Sequence, residues 1–413
     1  MLSSIKNYVI LGASAAGINA AKTLKELEPN SNIVIISKDE KTYSRCMLHH
    51  VISGHKTVED INFVEEDFIK NNHINWIKNR SVKSIDFNLR LVELEDRKIE
   101  YDKLLISTGA SAFIPPIKNL REANFVYPLR DIDDVYKIKE KAKDSKKAIV
   151  IGAGLVGIDA LNGLMGYENL EVSLVNTSEY ILNKQLDEHS AVSYENKFIE
   201  NGAKLYQGSG IKEIIINENN DVSGLELENG NIIEADMIVM ATGVRPNTDF
   251  IDTTKIEYDR GIVINEKCET SQRDVYAAGD VVGKNSIWPI AVKQGITAAY
   301  NMLGFEREIG DSFSFKNSMN FMGISTVSLG MINTPDDSYK VVTRCCEDSY
   351  KKFIYKDNII YGVIAQGDIS YVGVLTQLIK NKIEVENLEE RIFDIGYADF
   401  LSLKDNGEFC YNI

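Results

Sequence analysis

At 413 residues the chain exceeds what one ordinary hydrophobic core organises, and roughly three domains are expected. Its 44% apolar and 9% aromatic content is that of a globular protein and excludes disordered and fibrous classes. A formal charge of −15, from 46 basic against 61 acidic side chains, repels nucleic acid and anionic membrane surfaces, so neither is expected as a partner.

No apolar run approaches the length of a membrane span, and with the strand-like Tyr8-Val9-Ile10-Leu11 so near the N-terminus no signal peptide is expected. A cytoplasmic location is the expectation. The five cysteines, at positions 46, 268, 345, 346 and 410, form no C-x-x-C pair and no ligand cluster, as in a thiol-keeping compartment. No metal site is expected.

Residues 8 to 40 are expected to run strand, turn, helix, strand. Tyr8 to Leu11 is an apolar strand and Gly12-Ala13-Ser14-Ala15-Ala16-Gly17 a turn. Ile18, Ala20, Ala21, Leu24 and Leu27 then recur at helical spacing until Pro29-Asn30, and Ile33 to Ile36 is the second strand. In a G-x-G-x-x-G turn the first glycine permits the bend, the middle one the approach of a pyrophosphate, and the last close packing of helix on strand. Ser14 takes the middle place here, which narrows the approach without closing it. About twenty residues past Gly17, where an acid would hold ribose hydroxyls, stands Ser37, with Asp39 and Glu40 just beyond. The ribose contact is therefore expected to be shifted or weakened.

Tyr43-Ser44-Arg45-Cys46-Met47-Leu48-His49-His50 sets a cation and a thiol beside two imidazoles. In a catalytic reading Arg45 lowers the pKa of Cys46 and the thiolate is a nucleophile. In the alternative, Cys46 is a small buried apolar residue and the histidines pack or cap.

From Asn79 to Asp102 the pattern alternates as in strands, through Val82, Ile85, Leu91 and Leu94, and leads to Leu104-Leu105-Ile106-Ser107-Thr108-Gly109. The same apolar run into Thr-Gly recurs at Ile238-Val239-Met240-Ala241-Thr242-Gly243. Between the two lies a second strand-turn-helix-strand unit: Ala148 to Ile151, then Gly152-Ala153-Gly154-Leu155-Val156-Gly157 with all three glycines, then Glu171 to Val175. Two such units make the chain a binder of two nucleotides. The second acid position holds Asn176, and no Arg or Lys follows before Lys184, which favours NADH over NADPH. Asp159 starts its helix where it could face a nicotinamide; favourable charge at a helix N-terminus explains it equally.

Val275-Tyr276-Ala277-Ala278-Gly279-Asp280 is a strand whose small tip lets backbone approach a ligand while the acid accepts from a hydroxyl. After it, Pro289, Ala291, Val292, Ile296, Ala299 and Met302 mark an apolar-faced helix whose positive start suits an electron-rich ring. Beyond about residue 312 strand-like runs such as Ile359 to Ile364 and a helix from Val372 to Lys380 are expected, without identifiable chemistry beyond Tyr361 and Tyr371.

With both glycine turns, both Thr-Gly ends and Ala277-Ala278-Gly279-Asp280 in this order, residues 7 to about 304 resemble the FAD-dependent pyridine nucleotide-disulfide oxidoreductases. Tyr43-Ser44-Arg45, Leu129-Arg130-Asp131, Gln185-Leu186-Asp187 and Trp288-Pro289-x-Ala291-x-x-Gln294-Gly295 are similar to one branch of that family. It comprises NADH:rubredoxin reductases, nitrite reductase flavin domains, NADH oxidases and coenzyme A disulfide reductases. The resemblance implies an α/β fold with two Rossmann-like nucleotide-binding domains and a C-terminal α+β interface domain. Residues 1–112 and 244–311 would carry FAD and 113–243 NAD, while 312–413 would form the interface domain, in this family usually a homodimer surface.

The resemblance further implies FAD against Gly12, Ser14, Ala15, Ala16, Gly17, Ser37, Lys38, Arg45, Val82, Thr108, Gly109, Arg130, Gly279, Asp280 and Ala291. Asp280 would sit on its ribityl or phosphate side, and the helix after Pro289 would aim at the flavin's pyrimidine edge. NAD(H) would lie against Gly152, Gly154, Leu155, Val156, Gly157, Asp159, Asn176 and Gly243, with its nicotinamide stacked on the flavin.

The implied activity is that of an FAD-dependent NADH oxidoreductase, passing hydride to the flavin and then single electrons to a small redox protein such as rubredoxin or ferredoxin. A rubredoxin, being acidic, would need a local basic patch on a chain of charge −15. The C-x-x-x-x-C disulfide of glutathione-reductase-like members is absent. Cys46 falls where coenzyme A disulfide reductases and NADH oxidases keep a single cysteine, though Arg45 and Met47 read more like the electron-carrier branch. One alternative is therefore a single-cysteine reductase of a small-molecule disulfide such as coenzyme A disulfide, of persulfide, or of oxygen. Another is a non-catalytic flavoprotein, either an electron-transfer subunit or a redox sensor.

Overall fold

The computed structural model describes residues 6–283, 287–310 and 316–411. They divide into two compact units, one from Met1–Pro115, Pro128–Glu140 and Thr242–Ser314, the other from Pro116–Tyr127, Lys141–Ala241 and Phe315–Ile413. The expected boundary at 311/312 lies outside the described residues.

In the first unit five parallel strands lie in the order Val275–Ala277, Lys103–Ile106, Asn7–Leu11, Asn32–Ile36, Asn75–Ile77. Both faces are covered, so the strands are apolar throughout rather than alternating with polar residues. Tyr8, Ile10, Ile33, Ile35 and Leu105 point to one side, where Ile18 and Leu24 of helix Ala15–Leu27 and Ala298 and Met302 of helix Trp288–Met302 pack on them. Val9, Leu11, Val34, Ile36 and Ile106 point to the other side, onto Ile85 and Val92 of a small antiparallel sheet. Leu24 is fully buried, and truncating it to Ala would cost about 2–5 kcal/mol. The strand-like stretch expected from Asn79 to Asp102 resolves into three short strands, Ser84–Asp86, Leu91–Glu93 and Lys98–Glu100.

The second unit repeats the parallel arrangement with Lys204–Tyr206, Glu171–Val175, Lys147–Ile151 and Met237–Met240, and Val126–Pro128 lies next to Met237–Met240 in the same sheet. A three-stranded antiparallel sheet of Ile211–Ile216, Val222–Leu227 and Ile232–Glu234 covers one face through Ile214, Leu225 and Ile233. The same unit contains a five-stranded antiparallel sheet in the order Lys316–Phe321, Ile324–Gly330, Ile359–Gln366, Ser349–Lys356, Lys340–Cys346. Helix Val372–Asn381 buries Val374, Leu375 and Leu378.

Helix Glu188–Glu200 ties this last sheet to the nucleotide fold. Buried Tyr194 donates from its hydroxyl to Thr326 Oγ1 at 2.7 Å, and Gln366 donates to the Ser190 carbonyl at 3.0 Å. Asp187 caps the helix by accepting from Ser190 N and also accepts from the Tyr350 hydroxyl at 2.7 Å. Burial alone would raise Asp187, but these hydrogen bonds and the Lys352 ammonium hold its carboxyl below the usual range.

Candidate functional site

In the first unit the glycine turn brings its strand, its helix and the Ser107 strand end into contact. A side chain at Gly17 would place its Cβ 2.0 Å from the Gly12 carbonyl oxygen, so the position admits only glycine. Gly12 itself has φ +109, the region that favours glycine. Ser14 is the N-cap of helix Ala15–Leu27, yet its side chain makes no capping bond, and no acidic residue lies in the first turn. The same holds at the starts of helices Leu155–Leu164 and Trp288–Met302. The partial positive charge of these three helix ends is thus not neutralised locally, in contrast to the start of Glu188–Glu200.

Ala16, Gly279 and Ala291 converge. A Cβ at Gly279 would lie 3.5 Å from that of Ala16 and 3.6 Å from that of Ala291. The Gly279 amide donates to Gln294 Oε1 at 2.7 Å, which fixes the turn carrying Asp280. Asp280 accepts from Arg130 Nη2 at 2.6 Å, and Arg130 Nε donates to the Ala110 carbonyl. A Cβ at Gly109, which has φ +69, would lie 3.9 Å from Nη2 of the same guanidinium. Thr108 and Asn247 bond each other reciprocally at 2.9 Å. The family resemblance assigned Gly12, Ala16, Gly279, Asp280, Arg130, Gly109 and Ala291 to one FAD site, and the structure brings the last six near one another.

Other expected residues serve the surrounding loops. Ser37 is buried, donates to the Asp39 carbonyl at 2.6 Å and accepts from Trp76 Nε1 at 2.9 Å. Lys38 pairs with Asp131 at 3.1 Å, half exposed. Val82 lies outside any strand and packs at the edge of the apolar cluster under the sheet.

Arg45 differs most from expectation. Its guanidinium donates to Asp39 Oδ2 at 2.8 Å and to the Tyr43 hydroxyl at 2.6 Å, and Tyr43 in turn bonds Asp39. The charge expected to sit against the Cys46 thiol is spent on a carboxylate instead. Cys46 is exposed. A three-residue 3-10 turn, Arg45–Met47, presents it at the surface rather than on a core-facing helix. His49 is desolvated and lies 4.0 Å from the His50 ring; burial and that neighbour push it down to about 4, so it is neutral at pH 7.

In the second unit Gly152 and Gly157 repeat the close contact, with a Cβ at Gly157 falling 1.8 Å from the Gly152 carbonyl oxygen. Gly154 is the opposite case. It has φ −79, and a Cβ there would meet nothing within 4 Å, which leaves room for a pyrophosphate before the helix start at Leu155 and Val156. Asp159 is desolvated, which pushes its carboxyl up to about 7. Asn176 spends its amide hydrogens on the Ser178 and Tyr180 carbonyls, so a ribose hydroxyl would donate to its Oδ1. Gly243, with φ +104, belongs to the first unit.

Missed by sequence reasoning were Gln294 as the partner of Gly279 and the Asp39–Tyr43–Arg45 cluster. Both motifs containing these residues were visible, but their pairing needed the fold.

Two glycine turns on parallel sheets, three uncapped helix starts and the open face at Gly154 define a fold that binds two nucleotides. Residues 6–295 match the pyridine nucleotide-disulphide oxidoreductase family, and the chain belongs to it. Residues 316–383 match the rubredoxin NAD+ reductase C-terminal domain. A relative named NADH-rubredoxin oxidoreductase, from Clostridium acetobutylicum, is 32% identical over 92% of this chain and 96% of its own. Another, NADH-dependent phenylglyoxylate dehydrogenase subunit epsilon of Aromatoleum evansii, is 29% identical over 93% and 94%. The crystal structure of NADH:rubredoxin oxidoreductase from Clostridium acetobutylicum superposes with a TM-score of 0.77 at 30% identity, covering 93% of this chain and 97% of that one. The family's cofactors, FAD and NADH, are those the sequence implied, and the residues of both turns fit them. No helix among the described residues is long and apolar enough to cross a membrane.

Proposed function

We propose that this protein is an NADH oxidoreductase that delivers electrons one at a time to a small redox protein of the rubredoxin or ferredoxin kind. Bound FAD supplies the conversion of a two-electron hydride donor into one-electron transfers. The chain's own part is binding and positioning. The uncapped helix starts at Ala15 and Leu155 take the two pyrophosphates, and Asn176 Oδ1 takes the adenosine ribose. Asp280, held by Arg130, orients the flavin's hydroxylated chain, and the start of Trp288–Met302 supports charge on the ring. In this reading residues 1–112 and 244–311 carry FAD, 113–243 carry NADH and 312–413 pair two copies, with the protein in the cytoplasm.

The observation that carries the reading is the match of residues 316–383 to the rubredoxin NAD+ reductase C-terminal domain. Near Cys46 in sequence, Arg45 is engaged by Asp39 and Tyr43, and His49 is neutral at pH 7. In this reading electrons leave without passing through sulfur. A second reading, reduction of a low-molecular-weight disulfide, persulfide or oxygen through Cys46, is favoured by the exposure of that thiol. The test is an anaerobic acceptor screen with purified protein. NADH-dependent reduction of a rubredoxin or ferredoxin, and none of coenzyme A disulfide or polysulfide, is expected; the converse result rejects the first reading.

A further inference from the structure

The second unit carries a sulfur–imidazole pair on the exposed edge of its antiparallel sheet, among residues that the nucleotide chemistry does not use. Cys345 stands on the edge strand Lys340–Cys346, opposite Tyr350 on the neighbouring strand. Its Sγ lies 3.3 Å from Nε2 of His189, the second residue of helix Glu188–Glu200. That imidazole is not a loose surface side chain. It stacks on the Tyr350 ring at 4.4 Å, and the Tyr350 hydroxyl is fixed by Asp187, the cap of the same helix. With its proton on Nδ1, His189 presents the Nε2 lone pair to the thiol, the arrangement in which a base activates a cysteine nucleophile.

We propose that Cys345 and His189 form a nucleophile and base that take low-molecular-weight disulfides into a mixed disulfide. Nε2 accepts the thiol proton as Sγ attacks one sulfur of the incoming disulfide. The new Cys345 sulfur–sulfur bond forms while the old one breaks, and the departing thiolate takes up the proton, so one disulfide and one thiol give one mixed disulfide and one thiol. No further oxidant is required. Both groups are exposed, and the edge of the sheet leaves Cys345 open to a small reagent. Its neighbour Cys346 is also exposed but is a poor competitor for two reasons. Consecutive strand residues point to opposite faces, so Cys346 is directed away from His189 and its Cβ diverges from that of Cys345, which prevents the two from closing on each other. The site is independent of the acceptor chemistry assigned above.

The experiment uses reduced, flavin-loaded full-length protein and oxidised glutathione as the probe, with quenched time points mapped by peptide mass spectrometry. In the unaltered protein Cys345 is expected to be modified about fivefold faster than Cys346 or more. In His189→Gln the Cys345 rate is expected to fall by about fivefold or more while that of Cys346 stays as it was. A smaller difference between the two thiols in the unaltered protein, or an unchanged Cys345 rate without His189, overturns the proposal. The comparison of neighbouring thiols needs no substitution, and it decides the matter even where the histidine variant folds poorly.

Discussion

Arg130 holds Asp280 at 2.6 Å, and through its Nε it also holds the Ala110 carbonyl, so one guanidinium joins the strand after the first Thr-Gly end to the acid at the tip of Val275–Ala277. Both side chains are about one-fifth exposed, which makes the pair worth more than a surface ion pair. Arg130→Ala leaves Asp280 without its cation and frees the Ala110 carbonyl. The apoprotein should lose about 1.5–3 kcal/mol in urea unfolding, the usual worth of hydrogen bonds to charged groups. Flavin affinity should fall as well, because Asp280 is no longer positioned. Equilibrium dialysis against FAD checks this, and unchanged affinity would mean that Asp280 does not face the flavin.

The two glycines of the second turn should respond differently. Gly157→Ala forces a Cβ to 1.8 Å of the Gly152 carbonyl oxygen and must shift the backbone, costing stability and NADH binding together. A Cβ at Gly154 meets nothing within 4 Å and the position needs no unusual φ, so the thermal midpoint of Gly154→Val should stay near that of the parent. The valine nevertheless fills the space in front of the helix start. Reduction of the flavin by NADH should drop about a hundredfold, some 2.7 kcal/mol, while reduction by dithionite is unaffected. Retained NADH reduction in Gly154→Val would place the pyrophosphate elsewhere.

These contrasts bear on what could be read without the fold. Strand, turn and helix boundaries around Gly12 and Gly152 were legible because buried parallel strands are apolar throughout and glycine marks close backbone contact. Long-range polar partnerships were not. Nothing local in Tyr43-Ser44-Arg45 shows that Arg45 turns back to Asp39, and the thiol beside it in sequence is not its partner in space. Likewise Gln294 reaches the Gly279 amide across fifteen positions, and Asp187 reaches Tyr350 across 163. Periodicity reports which face of an element is buried, not which polar atoms meet there.

Asp159 gives a pH signature. Burial raises its carboxyl to about 7 in the folded chain, above the ordinary aspartate value near 3.9 in the unfolded one. The folded state therefore binds more protons than the unfolded state between these limits, and stability falls as pH rises through that window. Below about pH 4 the group costs nothing; above about pH 7 the full cost of a buried carboxylate is present. Asp159→Asn should remove this slope. Urea unfolding at pH 5 and pH 8 should show the unaltered protein losing on the order of 1–3 kcal/mol more than the variant over that range. Parallel pH dependence in the two proteins would rule out a desolvated, proton-binding Asp159.

Cys46 separates the two enzyme readings. The thiol is exposed and so can be reached, but its neighbouring cation is committed to Asp39 and its neighbouring imidazole is neutral at pH 7. In the electron-carrier reading no step passes through this thiol. Cys46→Ser should accordingly leave NADH turnover with a rubredoxin or ferredoxin within about threefold of the parent, less than 1 kcal/mol in the barrier. Flavin content and the rate at which NADH reduces the flavin, measured by stopped flow, should also be unchanged. Arg45→Lys provides a second arm. Lys replaces the planar fork by a point charge and weakens the bonds to Asp39 and Tyr43, so the loop should loosen without any gain of disulfide reduction. Loss of carrier reduction in Cys46→Ser by about a hundredfold, with the flavin still reduced normally by NADH, would mean that electrons leave this protein through sulfur.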